Sequence, residues 1–209
     1  MNPRPITLAG KLVRLEPLQL AHTQDLFAAL SVDPTIWRWW REMPPTDLAG
    51  MEAFLKGTLQ EQAGGSVVAF AQIDLATGRA VGSTTYMDIR TEDRGLEIGS
   101  TWLGKPWQRT GINTEAKYLL LRHAFEDLGA ARVQLKTDAR NLQSQKAIAR
   151  LGAVREGVLR KHRLVRDGYL RDSVMFSIID DEWPGVKALL EQMSSERSSG
   201  VVSQPAATR

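Results

Sequence analysis

Trp107 to Ala116, which read WQRTGINTEA, join a strand pattern that ends at Leu103 to a helix pattern that begins after Gly111. Residues 104–106, Gly-Lys-Pro, end the strand, because glycine and proline interrupt regular structure. The first amides of a helix have no partner within that helix and lie at the positive end of its dipole. The stretch therefore predicts a strand, a tight turn and a helix whose start can bind an anion.

The composition is that of an ordinary globular domain and excludes several classes of protein. Of the 209 residues, 43% are hydrophobic and 24% are charged, and the formal net charge of +3 is too small to indicate nucleic-acid binding. The chain has no cysteine, which excludes disulfides, thiolate nucleophiles and cysteine-bound metals. It also lacks the Walker phosphate loop, HExxH and G-x-S-x-G motifs, so we expect no metal.

The length and the ends of the sequence predict location and domain organisation. No apolar run approaches the roughly 20 residues of a membrane span, and residues 1–10 lack the apolar segment of a signal peptide. We therefore expect a cytoplasmic protein with a single domain over residues 1–193. Residues 194–209 are rich in serine without an apolar period, which predicts a disordered tail.

The chain before the central stretch predicts an antiparallel meander. Apolar or alternating segments over residues 66–73, 80–89 and 95–103 are joined by short turns, as is typical of consecutive antiparallel strands. The earlier elements are predicted as one strand and two amphipathic helices, over residues 11–16, 20–30 and 48–62.

The chain after the central stretch predicts a different topology. A helix over residues 113–128, a strand over 131–137 and a helix over 141–151 follow one another. Because a helix separates strand 95–103 from strand 131–137, the two are expected to be parallel and joined by a crossover. The last elements are predicted as a hairpin and a closing helix, over residues 154–165, 169–179 and 180–192.

Several motifs occur together in one order along this chain. Residues 108–113, QRTGIN, fit Q/R-x-x-G-x-G/A except at the last position, and Thr-Glu-Ala follows at 114–116. Asn-Leu-Gln-Ser at 141–144, Leu-Gly at 151–152 and Glu-Gly at 156–157 come later. In this order they resemble the Gcn5-related N-acetyltransferases, in the branch of the ribosomal-protein N-terminal acetyltransferases. The resemblance covers about residues 8–192, and its departures are Asn113, where Gly or Ala is usual, and Ala153, where Phe is commoner.

This resemblance implies an α/β fold with a mixed, twisted sheet of about seven strands. An antiparallel meander leads to splayed parallel central strands with flanking helices, and acetyl-coenzyme A lies in the splay. The free edge of the strand at Trp102 and Leu103 would pair with the pantetheine amides. The remaining implied cofactor ligands are Gln108, Arg109, Thr110, Gly111, Ile112, Asn113, Thr114 and Asn141. The alternative is an ordinary strand-to-helix turn that Asn113 caps.

The resemblance also implies direct transfer of the acetyl group to a primary amine, with no covalent enzyme intermediate. Ser144 would give a proton to the leaving thiolate, although Asn141 and Ser144 could simply form a helix start. Glu97 and Glu156 compete as the general base. Glu97 shares a strand face with Gly99 and small residues, which favours a wet acceptor channel, and the alternative is a solvent-facing side chain. Transfer without a dedicated base is also possible.

The amine acceptor is expected to be a small molecule or a peptide, and its recognition is assigned to residues 37–45 and to the hairpin of residues 160–169. Residues 37–45 contain Trp37, Trp39 and Trp40, for which packing is favoured over a substrate wall. Residues 150–171 hold seven Lys or Arg and two acids, which favours a solvated face over contact with an acidic acceptor or the coenzyme 3′-phosphate. His162 is expected at the surface. A homodimer and a coenzyme-binding module without turnover remain alternatives.

Overall fold

A computed structural model describes residues 1–166 and 168–198 of the chain. These residues form one mixed sheet with helices on both sides. The strands are β1 (Leu8–Ala9), β2 (Val13–Pro17), β3 (Val68–Asp74), β4 (Arg79–Arg90), β5 (Gly95–Leu103), β6 (Arg132–Asp138), β7 (Val154–Leu164) and β8 (Leu170–Ile179). The α-helices are α1 (Thr23–Ser31), α2 (Leu48–Ala63), α3 (Ile112–Arg122), α4 (Leu142–Ala149) and α5 (Trp183–Ser198).

The sheet has the predicted mixed topology. Its order is β1-β2-β3-β4-β5-β6-β8-β7, and every described pair is antiparallel except β5 with β6. The meander and the parallel crossover are therefore confirmed. The sheet has eight strands rather than about seven, because Leu8 and Ala9 pair with Leu15 and Arg14 as a short edge strand.

The two parallel strands separate after three residue pairs. Gly95, Leu96 and Glu97 pair with Arg132, Val133 and Gln134, and no later residue of β5 pairs with β6 in the described register. Strand β6 instead continues along β8 as far as the pair Asp138–Ser173. The result is a V-shaped opening between β5 and β6, which we call the splay. Its closed end lies at Glu97, and it opens toward the carboxyl ends of both strands.

Two clusters of buried apolar side chains hold the helices on the sheet. One cluster joins α3 and α5 to the strands and includes Leu120 and Ile178. The other joins α1 and α2 to the meander and includes Leu30 and Leu55. Burial of these side chains supplies the main favourable contribution to the fold. It also fixes α3 beside the splay.

A bulge in β5 changes which side chains face each cluster. Thr85 pairs with Gly99 and Ser83 with Trp102, so β5 has one more residue than β4 between these pairs. Ser100 takes a φ of 44°, in the left-handed region, and absorbs the extra residue. Trp102 consequently packs in the cluster of α1 and α2, whereas Ile98 packs in that of α3. The predicted alternation, which placed these two side chains on one face, is wrong beyond the bulge.

The closing helix is longer than the sequence pattern predicts. Helix α5 continues to Ser198, five residues beyond the predicted domain end at 193, and the expectation of a disordered tail otherwise concerns residues 199–209, which lie outside the described residues. Within the described ranges, no helix is both long and apolar enough to span a membrane.

Candidate active site

The central turn has the backbone of an open helix start. A short 3-10 turn over Lys105–Trp107 follows β5, and the Thr110 hydroxyl donates to the Trp107 carbonyl at 2.7 Å. Gly111 is the N-cap of α3 with a φ of 110°, a conformation that is strained for residues with a Cβ. Arg109 also has a positive φ, of 64°. The loop therefore folds back tightly before the helix begins.

Gly111 has no side chain with which to cap this helix, and within the described residues the first amide, that of Ile112, reaches only the Thr110 hydroxyl, at 3.5 Å. The first bond of α3 runs from the Glu115 amide to the Gly111 carbonyl at 3.0 Å, so the amides of Asn113 and Thr114 precede it. Asn113 is the second residue of the helix and not its cap, so the alternative of an Asn113-capped turn is wrong. The amides and the helix dipole together form a site suited to a phosphate group.

A small cleft adjoins this helix start. It has a volume of about 140 Å³ and is lined by Leu12, Thr110, Gly111, Thr114, Glu115, Met193 and Ser194. The Thr114 hydroxyl, expected to bind phosphate, is buried and accepts a hydrogen bond from Arg150 at 3.1 Å. Thr114 therefore positions Arg150 beside the loop, and its own hydroxyl already has a protein donor.

The backbone carbonyls of Trp102 and Leu103, the two predicted cofactor ligands on β5, also have protein partners. The Gln108 side-chain amide donates to the Leu103 carbonyl at 3.0 Å, and that of Gln72 donates to the Trp102 carbonyl at 3.0 Å. The Trp102 side chain is buried against Trp37, with ring centroids 5.3 Å apart. The carbonyls of Trp102 and Leu103 therefore already accept hydrogen bonds from protein side chains, and the Trp102 ring serves packing.

Glu115 is a structural residue of this site that sequence reasoning missed. Its carboxylate accepts hydrogen bonds from the amides of Lys11, Leu12 and Val13 at 2.8, 2.6 and 2.8 Å. A carboxylate in the first turn of a helix is favoured by the helix dipole. Its position in Thr-Glu-Ala, directly after the helix start, was the available signal.

The start of α4 is capped, in contrast to that of α3. The Asn141 side-chain oxygen accepts from the Ser144 amide at 3.0 Å, which confirms the helix-start interpretation of these residues. Helix α4 follows the end of β6 at Asp138, so Asn141 and Ser144 lie at the open end of the splay. This position is compatible with their expected roles, which remain predictions.

Glu97 lies at the closed end of the splay. It is 1% exposed, and its Oε2 accepts from Lys136 Nζ at 2.5 Å and from Gln134 Nε2 at 3.1 Å. Both the wet channel and the solvent-facing alternative are therefore wrong. A buried carboxylate of this kind needs such a partner, because an unpaired charge is costly in a protein interior.

Glu156 is separated from the open end of the splay. Arg132 donates to both of its carboxylate oxygens at 2.5 Å, and Ser177 donates at 2.8 Å. Hydrogen bonding to Arg132 is the main reason that the pKa of Glu156 lies below its ordinary value. Arg132 itself pairs with Gly95 at the closed end of the parallel strands. Position and lowered pKa both disfavour Glu156 as the general base.

Lys117 is a second residue that sequence reasoning missed. It lies on α3, is 5% exposed, and donates to the hydroxyls of Thr101 and Thr84 at 2.6 and 3.2 Å. Burial lowers the pKa of Lys117 to about 7. Its two partners belong to the strands that flank the β5 bulge. The sequence offered no signal, because a lysine on an amphipathic helix is typical of the solvent face.

The tryptophan-rich segment divides into a packed part and an outer part. Trp37 is fully buried and stacks on Trp40 with ring centroids 4.4 Å apart, which confirms packing for these two residues. The Trp39 ring instead lies 5.4 Å from the Arg140 guanidinium. The same guanidinium lies 3.8 Å from the Tyr169 ring. The structure therefore brings both predicted acceptor segments together at Arg140.

His162 differs from its predicted surface position. It is half-buried, and its Nδ1 atom is buried without a hydrogen-bond partner among the residues that the structure describes. Burial is the largest cause of its lowered pKa, followed by the positive charges of Arg163, Lys136 and Arg171. Within the described ranges as a whole, no group of three or more His, Asp or Glu is arranged to hold a metal ion.

Comparison with known proteins assigns the family. Residues 13–154 match the family model described as "Acetyltransferase (GNAT) domain". Because the match covers more than half of the chain, this protein belongs to the GNAT acetyltransferase family, as the ordered motifs predicted.

Individual relatives agree with this assignment. A GCN5-related N-acetyltransferase from Brucella melitensis has a TM-score of 0.87 and 33% identity over 92% of this chain and 86% of that chain. Mycobacterium smegmatis RimJ in complex with CoA-disulfide shares the fold, with a TM-score of 0.78 and 23% identity over 93% of this chain and 98% of that chain. Bacillus subtilis strain 168 YdaF, provisionally named a ribosomal N-acetyltransferase, is 32% identical over 113 residues. This match covers 54% of the present chain and only 61% of the relative.

Proposed function

We propose that this protein transfers the acetyl group of acetyl-coenzyme A directly to a primary amine in a ternary complex. The observation that carries the proposal is the open start of α3 beside the splay. Gly111 leaves the amides of Asn113 and Thr114 available to a pyrophosphate, and the part of β5 that does not pair with β6 leads from that helix start into the sheet. Family membership supports acetyl-coenzyme A as the donor.

The reaction needs no covalent enzyme intermediate. The neutral amine attacks the thioester carbonyl carbon, a C–N bond forms, the C–S bond breaks, and the amine loses one proton. The departing thiolate takes a proton, for which we propose the Ser144 hydroxyl at the open end of the splay. A proton returned to Ser144 through solvent completes the cycle.

Glu97 is the better of the two proposed bases. It lies where β5 and β6 separate, whereas Glu156 is held by Arg132, which pairs with Gly95 two residues before that point. Lys136 and Gln134 both donate to Glu97 Oε2, so Oε1 is the oxygen proposed to accept the amine proton. Glu97→Gln is expected to lower kcat/KM at least about tenfold, while Glu156→Gln has little effect on it. Equal losses in the two variants, each checked for folding by its thermal transition, would remove this distinction.

The acceptor is proposed to be an amine at a peptide N-terminus or on a small molecule. The names of YdaF and other relatives support a ribosomal-protein N-terminus. The grouping of Trp39, Arg140 and Tyr169 at the end of β6 supports an entrance there. We call this grouping the acceptor mouth.

The proposal is tested in two stages. Acetyl-coenzyme A is first expected to raise the melting temperature, and the absence of a shift at saturating ligand would reject the donor. A panel of amines is then assayed for thiol release, comprising peptides with free N-termini, their N-acetylated forms as controls, free amino acids and polyamines. Release with a free amine but not its acetylated control supports the transferase. A thermal shift without release from any amine would instead support a coenzyme-binding module.

A further inference from the structure

Two arginines face each other on neighbouring strands next to the acceptor mouth. Arg163 of β7 and Arg171 of β8 are direct partners in the antiparallel register. Like charges in such a pair destabilise a sheet, because their side chains lie close together on one face. An anion that binds between the two guanidinium groups would remove this repulsion.

Neither arginine has an ion pair within residues 1–166 and 168–198. Arg171 is half-buried, and its Nε donates to the hydroxyl of the fully buried Ser173 at 3.1 Å. Burial is also the largest cause of the lowered pKa of Arg171. The expectation of a simply solvated face is therefore wrong at Arg171.

The nearby carboxylates are already engaged by other cations. Asp138 is paired with Arg140 at 2.8 Å, and Glu97 is paired with Lys136. The charges of Arg163, Lys136 and Arg171 all lower the pKa of His162 beyond the effect of its burial. Asp138 and Glu97 act in the opposite direction and partly offset the lowering of the Arg171 pKa, but each makes its ion pair with another cation.

The pair lies where an acceptor would enter. Ser173 is the sheet partner of Asp138 at the end of β6, and Arg171 is two residues from Ser173 along β8. Tyr169 of the acceptor mouth precedes Arg171 by two residues and contacts Arg140. An anion at Arg171 would therefore lie beside the open end of the splay.

We propose that Arg163 and Arg171 bind a carboxylate of the acceptor, so that preferred acceptors carry a negative charge close to the acetylated amine. Arginine is suited to this task, because its planar guanidinium donates in a geometry that matches a carboxylate. The carboxylate is either the α-carboxylate of a free amino acid or an acidic side chain near a peptide N-terminus. This specificity rests on the proposed transferase function.

The test compares matched acceptors in the thiol-release assay. Hexapeptides with a free N-terminus carry Asp or Glu at positions two and three, and their partners carry Asn or Gln. Free amino acids are compared with their amides, which separates the two sources of the carboxylate. In one of these two comparisons, the intact protein is expected to use the acceptor with a carboxylate about tenfold or more better in kcat/KM than the matched acceptor with an amide. Hydrogen bonds to charged groups are strong enough for such a difference.

Variants then assign the preference to the arginine pair. Arg171→Gln and Arg163→Gln are each expected to lower the preference for acids at least several-fold, without changing KM for acetyl-coenzyme A. Arg155→Gln, at an exposed position on the same strand as Arg163, is the matched control and should retain the preference. Arg163 is also exposed, so its variant keeps the test valid if Arg171→Gln does not fold.

Three outcomes would overturn the inference. The first is equal use of acids and amides by the intact protein. The second is retention of the preference in both arginine variants. The third is an increase in KM for acetyl-coenzyme A in these variants, which would assign the pair to the coenzyme 3′-phosphate. All three require turnover, so they differ from failure of the proposed function, in which no amine releases thiol.

Discussion

Helices α3 and α4 both begin beside the splay, but their first turns are built in opposite ways. Helix α3 starts at Gly111 without a side-chain cap, whereas α4 starts at Asn141, whose side chain holds the Ser144 amide. The glycine N-cap of α3 leaves the amides of Asn113 and Thr114 for a ligand, whereas the Asn141 cap engages one amide of α4 with the protein. The first suits the binding of a polyanion, and the second suits the rigid placement of a side chain.

The largest expected effect comes from closing the open start. Gly111→Asp places bulk and negative charge against the amides at a φ of 110°. We expect the thermal shift by acetyl-coenzyme A to be lost, because phosphate and carboxylate repel each other at short range. Gly129→Asp is the matched control, since Gly129 also has a positive φ, of 66°, and open space around it. If Gly111→Asp still shows the shift, the loop is only a turn.

The next effect concerns the side chain that the capped start places. Ser144→Ala is expected to lower kcat about a hundredfold while KM for acetyl-coenzyme A stays constant, because a proton donor acts on the chemical step. Steady-state kinetics measure both values. Gln143→Ala, at an exposed neighbouring position, serves as control. An unchanged kcat in Ser144→Ala would exclude its catalytic role.

Helix α3 differs from α4 also in what it buries, and pH reveals this. Because the pKa of Lys117 is about 7 in the fold and has an ordinary value of 10.5, the unfolded chain binds an extra proton between these values. Burial of neutral Lys117 therefore costs no stability above pH 10.5. The free energy of unfolding decreases as pH falls from 10.5 toward about 7, where the loss is complete. Relative to Lys117→Met, the intact protein should gain up to a few kcal/mol as pH rises over this range, at about 1.4 kcal/mol per pKa unit.

Urea denaturation of both proteins at several pH values measures this difference in the free energy of unfolding. The contributions of titratable groups that both proteins share cancel in the difference. The Lys117→Met variant should be the more stable protein near pH 7 by virtue of its apolar side chain. Parallel stability profiles of the two proteins across the range would contradict the lowered pKa.

The smallest effect is expected from removing the cap of α4. Asn141→Ala should cost about 1 kcal/mol in the free energy of unfolding, because the Ser144 amide loses its acceptor. Asn141→Asp keeps an acceptor oxygen and should restore most of this stability. Urea denaturation distinguishes them, and equal stability of all three proteins would show that the cap contributes nothing.

Local patterns predicted the fold well because its elements depend on neighbouring residues. The glycine at 111, the alternation in the meander and the helix after the turn are all short-range signals, and the structure confirms each of them. The family motifs then supplied the splay, which no local pattern contains.

Long-range partners could not be predicted in the same way. Glu97 is paired with Lys136, 39 residues away, and Glu156 with Arg132, 24 residues away, so the surroundings of both candidate bases depend on strand order. The bulge at Ser100 adds one residue to β5 and reverses the faces that follow it. A pattern of period two has no means of marking such an insertion.

The hydrogen bonds of Glu115 join the central loop to the start of the chain. Its carboxylate lies in the first turn of α3, beside the cleft at the central loop, and is held by the amides of residues 11–13 from more than 100 positions earlier in the chain. Without those amides, an uncompensated negative charge would stand beside the place where phosphates are expected to bind. The β1–β2 turn therefore compensates the Glu115 charge beside the proposed phosphate site, so the electrostatics of coenzyme binding depend on amides more than 100 positions away in the chain.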